Sequence, residues 1–81
     1  MIARVYVNFK KTILDPQGRT IKKTLESLGY KDVLDVRQGK VFTLKFKDSL
    51  SREQVEEIIK KIGRDVLSNP VIEEFDYEVV E

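Results

Sequence analysis

Two kinds of segment follow one another along this chain. In one kind the apolar residues recur at every second position, and in the other they recur at the spacing of a helix. Residues 2–10 alternate apolar and polar side chains, which predicts a half-buried strand. Apolar residues then recur at helical spacing from Thr20 to Leu28, and Gly29 follows as a left-handed helix C-cap. The chain has 81 residues, enough for one modest core, so this order of short elements leaves few folds open.

The second helix carries the clearest start and stop signals. Ser51 and Gln54 have the spacing of a capping box. The helix is predicted to end near Leu67–Ser68, because Asn69 precedes a proline and is disfavoured in the helical region. Its apolar stripe consists of Val55, Ile58, Ile59, Ile62 and Val66. Gly63 inside this stripe costs about 1 kcal/mol relative to alanine, so we expect another group to approach its backbone closely.

Residues 32–36 and 40–47 are predicted to form two strands. A three-residue loop over residues 37–39 places Leu34 opposite Phe42, so that the apolar residues of both strands share one face. This loop requires Gly39 in the left-handed region, as in a type I turn followed by a bulge. A two-residue loop would put the two apolar sets on opposite faces, and we therefore predict the longer one.

A last strand is predicted at residues 71–80, where Glu73 interrupts the apolar face. The order is then β-α-β-β-α-β, with no linker or repeat, which predicts a single domain over residues 1–81. The expected architecture is an α+β, ferredoxin-like fold with two helices on one face of a four-stranded antiparallel sheet. Between the first strand and the first helix, Asp15-Pro16-Gln17-Gly18 predicts a tight turn.

The chain contains no cysteine and no histidine. Disulfides and thiolate chemistry are therefore excluded, and the usual acid–base catalyst and commonest metal ligand are missing. Its four glycines stand singly, so there is no glycine-rich loop of the kind that cradles phosphates. We expect no catalytic residue, no metal site and no cofactor bound by this chain.

Charge and hydropathy give further expectations. The net charge of +1 provides no general attraction to nucleic acid. The residues after Met1 do not resemble a signal peptide, and no apolar run approaches membrane-spanning length. We expect a cytoplasmic protein without nucleic-acid or membrane partners.

The alternative is a small RRM-like module that binds single-stranded RNA, because RRM modules share this element order and use aromatic residues such as Tyr6 and Phe42 to stack bases. The glycine–aromatic spacing of the RRM signature is not met.

One face of the predicted sheet is not covered by helices. Tyr6, Val41, Ile72 and Val80 place apolar groups among charged residues on that face. Such a mixture is typical of an association surface. We therefore expect a homodimer or a higher oligomer that forms through the sheet surface or its edges.

Five short motifs occur in order along nearly the whole chain. They are Val5-Tyr6-Val7, Leu14-Asp15-Pro16-Gln17-Gly18 with Ile21, Leu25-x-x-Leu28-Gly29-Tyr30, Val36-Arg37-x-Gly39-Lys40, and Leu67-x-Asn69-Pro70-Val71-Ile72-Glu73-x-Phe75. Together they resemble the PurS family, the small subunit of phosphoribosylformylglycinamidine (FGAM) synthase. One departure is Gly63, where many relatives are expected to carry cysteine.

The resemblance implies a non-catalytic, dimeric subunit that joins a PurL-like synthetase subunit to a PurQ-like glutaminase subunit and helps to pass ammonia between them. The complex would convert formylglycinamide ribonucleotide (FGAR), ATP and glutamine to FGAM, ADP, phosphate and glutamate, with ATP and Mg used on the synthetase subunit. Polar residues on loops often carry recognition. The candidates for partner contacts are Asp15, Pro16, Gln17, Gly18, Arg19, Arg37, Lys40 and Asn69.

Overall fold

The computed structural model describes residues 1–80 and shows an α+β fold with two α-helices and a three-stranded antiparallel sheet. The strands are β1 (Ile2–Phe9), β2 (Lys40–Lys45) and β3 (Glu73–Val80), and the helices are α1 (Pro16–Ser27) and α2 (Arg52–Ile62). A π-helical turn at Gly63–Leu67 continues α2. The strand order is β2-β1-β3, and both neighbouring pairs are antiparallel. No helix within residues 1–80 is long and apolar enough to cross a membrane.

The hydrophobic core lies between one face of β1 and helix α2. Alternate residues of β1 are fully buried, as the period of two predicted. Val55 and Ile59 of α2 are buried against them. Half-buried apolar residues of β2 and β3 extend this inner face of the sheet, among them Phe42, Leu44, Phe75, Tyr77 and Val79. The inner face is therefore the one that the sequence assigned to the core.

Helix α2 begins as predicted, and the helical segment ends at Leu67 as predicted, but its last turn is π-helical. The Gln54 amide donates to Ser51 Oγ at 3.2 Å, and the Ser51 amide donates to Gln54 Oε1 at 2.9 Å, which completes the capping box. The π-helical turn adds one residue to the helical repeat and changes its phase. Val66 is consequently 73% exposed, while Leu67 packs against the core. The prediction that Val66 belongs to the buried stripe is wrong for this reason.

Residues 32–36 form no strand, so the predicted four-stranded sheet is replaced by one of three strands. Leu34 is 85% exposed and does not lie opposite Phe42. Gly39 does not have a positive φ, and the predicted three-residue hairpin loop is also wrong. Glycine is needed there for a different reason, since a Cβ atom would collide with the side chain of Asn8.

Helix α1 and its flanking segments, residues 10–39, project from the sheet and are called the arm below. Helix α1 makes no extensive contact with any strand or with α2, and no residue of the arm packs against the core. The chain measures 51 × 27 × 14 Å and has a radius of gyration of 16.1 Å, whereas a compact domain of this length has about 12 Å. Of the two helices in residues 1–80, only α2 covers the inner face, which corrects the prediction of two helices packed there.

Gly63 provides a test of the packing between α2 and β3. A Cβ atom at this position would lie 2.6 Å from the ring of Phe75, which confirms the expected close approach. We predict that Gly63→Ala lowers the free energy of unfolding by about 1 kcal/mol, because overpacking costs about 1–3 kcal/mol and alanine recovers up to about 1 kcal/mol of helix propensity. Chemical denaturation measures this change. In a Phe75→Leu background the same substitution should be neutral or stabilising, and stabilisation in the original background would contradict the contact.

Candidate interaction site

Asp15 is a buried carboxylate at the base of the arm, only 5% exposed. Its Oδ2 accepts a hydrogen bond from the Gln38 amide at 2.7 Å, and its Oδ1 accepts from the Gly18 and Gln17 amides at 3.0 and 3.1 Å. Asp15 thus caps α1 and fastens the start of that helix to the segment that precedes β2. These hydrogen bonds, above all the one from Gln38, hold the pKa of Asp15 below its usual range because they favour the charged carboxylate.

The run from Asp15 to Gly18 is the start of α1 and not a separate turn before it. Helix α1 begins at Pro16, four residues earlier than predicted, with Asp15 as its N-cap. Proline suits the first helical position, because its fixed φ is helical and its missing N–H would have no partner there. Gly18 is buried against Val36, and glycine is required there because a Cβ atom would collide with the carbonyl oxygen of Val36. The prediction of a separate tight turn before the helix is therefore wrong, because these residues form the N-cap and first turn of α1.

Arg37 ties together the two segments that connect the arm to the sheet. Its guanidinium donates to the carbonyl oxygens of Lys11 at 2.9 Å, Ile13 at 3.2 Å and Lys10 at 3.5 Å. Its positive charge also contributes to the lowered pKa of Asp15. The incoming and outgoing segments of the arm are therefore linked twice, once through Asp15 and once through Arg37.

The loops that carry the candidate contact residues converge at the end of the sheet, next to the base of the arm. A cleft of about 100 Å³ lies between them, lined mainly by Phe9, Gln17, Gln38, Gly39, Lys40 and Glu73. Lys40 Nζ lies 4.0 Å from Glu73 Oε2, and Glu73 Oε1 accepts from the Asn69 amide at 2.8 Å. Small-molecule sites usually enclose about 300–1,000 Å³. The cleft is thus a junction of loops and is too small for a nucleotide.

The eight residues predicted to contact partner subunits fall into two groups. Four take part in contacts within the chain or are buried there, namely Asp15, Gly18, Arg37 and Asn69, whose Oδ1 accepts from the Val71 amide at 3.1 Å. The other four are exposed around the base of the arm, namely Pro16, Gln17, Arg19 and Lys40. Of the exposed group, Lys40 pairs with Glu73 at 4.0 Å; of the first group, Arg37 and Asn69 are exposed as well. The contacts themselves stay predictions.

The outer face of the sheet, which is the face opposite α2, carries more polar side chains than expected for a dimer held together by apolar contacts. Tyr6 donates to Glu78 Oε1 at 2.8 Å, and this hydrogen bond, followed by burial, raises the pKa of Tyr6. Tyr6 and Val41 are paired across β1 and β2. Val80 lies at one end of the strands, and Ile72 lies just before β3 at the other end. The four residues do not form one patch, and a dimer through them stays a prediction.

Most of the large apolar side chains that the structure leaves exposed belong to the arm. Leu14, Leu28, Tyr30 and Leu34 are 72%, 68%, 61% and 85% exposed, and Ile21 of α1 is 40% exposed. The sequence did not reveal this surface, because helical periodicity predicts a buried face without saying which chain covers it. Exposed apolar surface of this extent usually marks an interaction site.

The titratable side chains of the described residues give two observations about chemistry at the site. Within residues 1–80, no three or more histidine, cysteine, aspartate or glutamate side chains lie together as a group that could hold a metal ion. The one buried carboxylate, Asp15, already accepts three backbone hydrogen bonds. Its lowered pKa makes it a poor general acid or base near neutral pH.

Comparison with known sequences gives one consistent result. The sequence profile of PurS, described as phosphoribosylformylglycinamidine (FGAM) synthase, matches residues 2–81. The FGAM synthase subunit PurS of Bacillus subtilis is 38% identical over 78 residues, which cover 96% of this chain and 90% of the relative. The corresponding subunit of Archaeoglobus fulgidus is 39% identical over 75 residues, which cover 93% and 92%.

Solved structures of the same group share the fold. PurS of B. subtilis aligns with a TM-score of 0.86 at 38% identity, over 99% of this chain and 98% of that chain. A chain in the structure of PurLQS from Thermotoga maritima aligns with a TM-score of 0.82 at 29% identity, over 96% of both chains. Because these alignments include the arm, its projection from the sheet is part of the shared fold.

The buried position of Asp15 leads to a prediction about pH. Its pKa in the folded state lies below the unfolded value of about 3.9. Its charge therefore stabilises the fold above that pH, and this stabilisation is lost as the pH falls through the lowered value. We predict that Asp15→Asn is less stable than the natural chain at pH 7 and that its stability falls less steeply below about pH 4. Thermal unfolding between about pH 2 and 7 measures both effects.

The matched control for this experiment is Asp48→Asn, in the exposed loop before α2. This substitution removes one carboxylate without touching the arm, and we expect it to retain the pH dependence of the natural chain. If Asp15→Asn and the natural chain lost stability in parallel on acidification, Asp15 would not be the group that fastens the arm.

Proposed function

The chain belongs to the PurS family of FGAM synthase, and we propose that it is the small non-catalytic subunit that joins the synthetase and glutaminase subunits of this enzyme. It does so as a homodimer, in purine biosynthesis and in the cytoplasm. The observation that carries the proposal is the alignment of 96% of this chain with a chain of the PurLQS structure. A likeness of this extent involves the whole subunit and not an isolated motif.

In the proposed complex, FGAR, ATP and glutamine are converted to FGAM, ADP, phosphate and glutamate. The PurL-like subunit uses ATP and Mg, and the PurQ-like subunit releases ammonia from glutamine. This chain contributes surfaces to the complex. Two of its features support that role: the cleft at the base of the arm encloses only about 100 Å³, and the buried Asp15 already accepts hydrogen bonds from three backbone amides.

The surface assigned to the partner subunits surrounds the base of the arm. Gln17, Arg19 and Lys40 are exposed there, and the hydrogen bonds of Asp15 and Arg37 fix the backbone that carries them. Ammonia that passes between two sites must be kept from bulk water, so the subunit contacts around its path have to exclude solvent. A surface on a fixed backbone suits this task, because little conformational entropy is lost when a partner binds.

The RNA-binding alternative is not supported by the geometry of the sheet. RRM modules stack bases on aromatic residues of the exposed sheet face. Here Phe42 lies half-buried on the inner face, and Tyr6 on the outer face is bound to Glu78. The outer side of β3 also carries Glu74, Asp76 and Glu78, whose charges repel a phosphate backbone.

Assembly is the first test of the proposed function. We predict that this chain, mixed with PurL and PurQ subunits in the presence of ATP and glutamine, co-elutes with both in size-exclusion chromatography. The expected result is one species that contains all three proteins. Elution of this chain apart from both partners under these conditions would contradict the proposal.

Arg19 offers a test of the ammonia-transfer role. We predict that Arg19→Glu lowers glutamine-dependent FGAM synthesis by about tenfold, because a reversed charge at a subunit contact costs more than about 1.4 kcal/mol. Ammonia-dependent synthesis should be much less affected, since free ammonia does not need the contact. Lys60→Glu, on the exposed side of α2, makes the same charge change elsewhere and should leave both rates unchanged. An equal loss of both activities in Arg19→Glu would contradict a role in transfer.

A further inference from the structure

The charges along α1 run opposite to the order that stabilises a helix. The helix dipole favours acidic residues in the first turn and basic residues in the last turn. Helix α1 has no acidic residue in its first turn and no basic residue in its last turn. Arg19, Lys22 and Lys23 lie in its N-terminal part, and Glu26 lies in its last turn. The positive side chains are therefore near the positive end of the helix dipole, where they lower the stability of α1.

Helix α2 of the same chain follows the rule that α1 breaks. Glu53 lies in its first turn, beside Arg52, and Lys60 and Lys61 lie in its last turn. The reversed order is thus a property of α1 and not of the composition of the whole chain. Natural sequences break such local rules mainly at functional sites. The charge order of α1 therefore indicates a surface that serves binding.

Arg19 and Lys23 stand four residues apart and lie on the same side of α1. Both side chains are exposed. With Pro16 and Thr20 they line a shallow depression, and these four residues are called the basic strip below. Two like charges at this spacing repel each other. None of the ion pairs formed within residues 1–80 includes either side chain, so the described chain does not relieve the repulsion.

Asp15, at the start of α1, does not neutralise the basic strip. Its carboxylate accepts hydrogen bonds from the amides of Gln17, Gly18 and Gln38. The Arg19 amide donates to the Asp15 carbonyl oxygen at 3.0 Å. These bonds occupy the amides with which a helix N-terminus binds phosphate. The basic strip therefore offers a free anion only mobile side chains, and an extended acidic surface with several carboxylates suits it better.

The basic strip adjoins the surface that the proposed function assigns to the partner subunits. Arg19 belongs to both, and the exposed Gln17 lies at the same end of α1. The arm carries seven basic and four acidic residues, whereas the rest of the chain carries eight basic and ten acidic residues. The excess of positive charge therefore lies on the arm, and it favours a partner surface of opposite sign.

We propose that the basic strip docks on an acidic surface of a catalytic subunit of the FGAM synthase complex, through Arg19 and Lys23. This inference rests on the proposed function and deepens it, because it names the chemistry of the partner surface. Docking relieves the repulsion between the two side chains and places acidic groups near the positive end of α1. The attraction between exposed charges weakens when salt screens them.

The first experiment neutralises the basic strip. Arg19→Gln with Lys23→Gln removes both charges and retains helix propensity, because the three residue types are similar in this respect. Each chain is titrated into PurL and PurQ subunits with ATP and glutamine, and the concentration that gives half-maximal FGAM synthesis is measured. We expect this concentration to rise about fivefold in the variant, because two exposed ion pairs are lost. An unchanged concentration would overturn the proposal.

Two control variants separate charge at the basic strip from other effects. Lys60→Gln with Lys61→Gln removes the same charge from exposed positions of α2 and should leave the half-maximal concentration unchanged. Arg19→Lys with Lys23→Arg keeps both charges and should behave like the natural chain. An equal loss in the α2 variant would point to a general effect of net charge and would overturn the proposal.

Salt gives a second readout on the same proteins. The half-maximal concentration of the natural chain should rise between about 0.05 and 0.3 M salt, because screening weakens the attraction between exposed charges. That of the chain with Arg19→Gln and Lys23→Gln should rise less, since it lacks the two charges. A parallel rise for both chains would contradict docking through the basic strip.

Thermal unfolding distinguishes docking from a structural role of the same residues. If Arg19 and Lys23 serve docking, their replacement by glutamine relieves a repulsion within α1. The unfolding midpoint should then stay the same or rise by up to about 4 °C. A lower midpoint would show that the two residues stabilise the fold, and this result would overturn the proposal.

The two hypotheses fail in different ways. If the natural chain supports glutamine-dependent synthesis and the chain with Arg19→Gln and Lys23→Gln does so at the same concentration, docking through the basic strip is wrong and the proposed function stands. If the natural chain neither supports this synthesis nor co-elutes with PurL and PurQ subunits, the proposed function is wrong and the docking proposal falls with it.

Discussion

The orientation of the arm depends on the buried carboxylate of Asp15. This group accepts hydrogen bonds from the amides of Gln17, Gly18 and Gln38, and it thereby joins the start of α1 to the segment that leads into β2. A buried charge without partners would be costly, but three amide donors and the nearby Arg37 make the ionised form the stable one. The direction of α1, the exposure of its apolar face and the positions of Gln17 and Arg19 all follow from this link.

Features set by local chemistry could be predicted from the sequence. The alternation in β1, the capping box of Ser51 and Gln54, and the left-handed Gly29, whose φ is 97°, depend on residues within a few positions of one another. The close approach at Gly63 was also predictable, because a glycine that weakens a helix suggests a packing reason. In each case the local preference and the fold agree.

Features set by distant contacts were not predictable. The alternation around Leu34 is compatible with a strand, but a strand also needs an open neighbour, and the arm carries residues 32–36 away from β2. Asp15 was identified as an important residue, yet its bond to Gln38 spans 23 positions and leaves no signature in the local pattern. The apolar periodicity of α1 was detected correctly, but periodicity alone does not specify that this face stays exposed within the chain. The candidate contact residues were accordingly identified as a group, while their division into structural and exposed members required the fold.

The chemistry of the residues and the comparisons lead to the same description of function. The described residues form a fixed surface around the base of the arm, where the cleft encloses about 100 Å³, and the chain belongs to a family of FGAM synthase subunits. In this description the subunit acts through its shape: Asp15 and Arg37 fix the base of the arm, and the residues around that base are the ones proposed to contact the catalytic subunits.

The rate of FGAM formation by PurL and PurQ subunits, with glutamine as the nitrogen donor, measured with and without this chain, is the most direct test of its role. A linking subunit predicts rapid glutamine-dependent synthesis only when the chain is present, while synthesis from saturating ammonia proceeds in its absence. Equal glutamine-dependent rates with and without the chain would contradict that role.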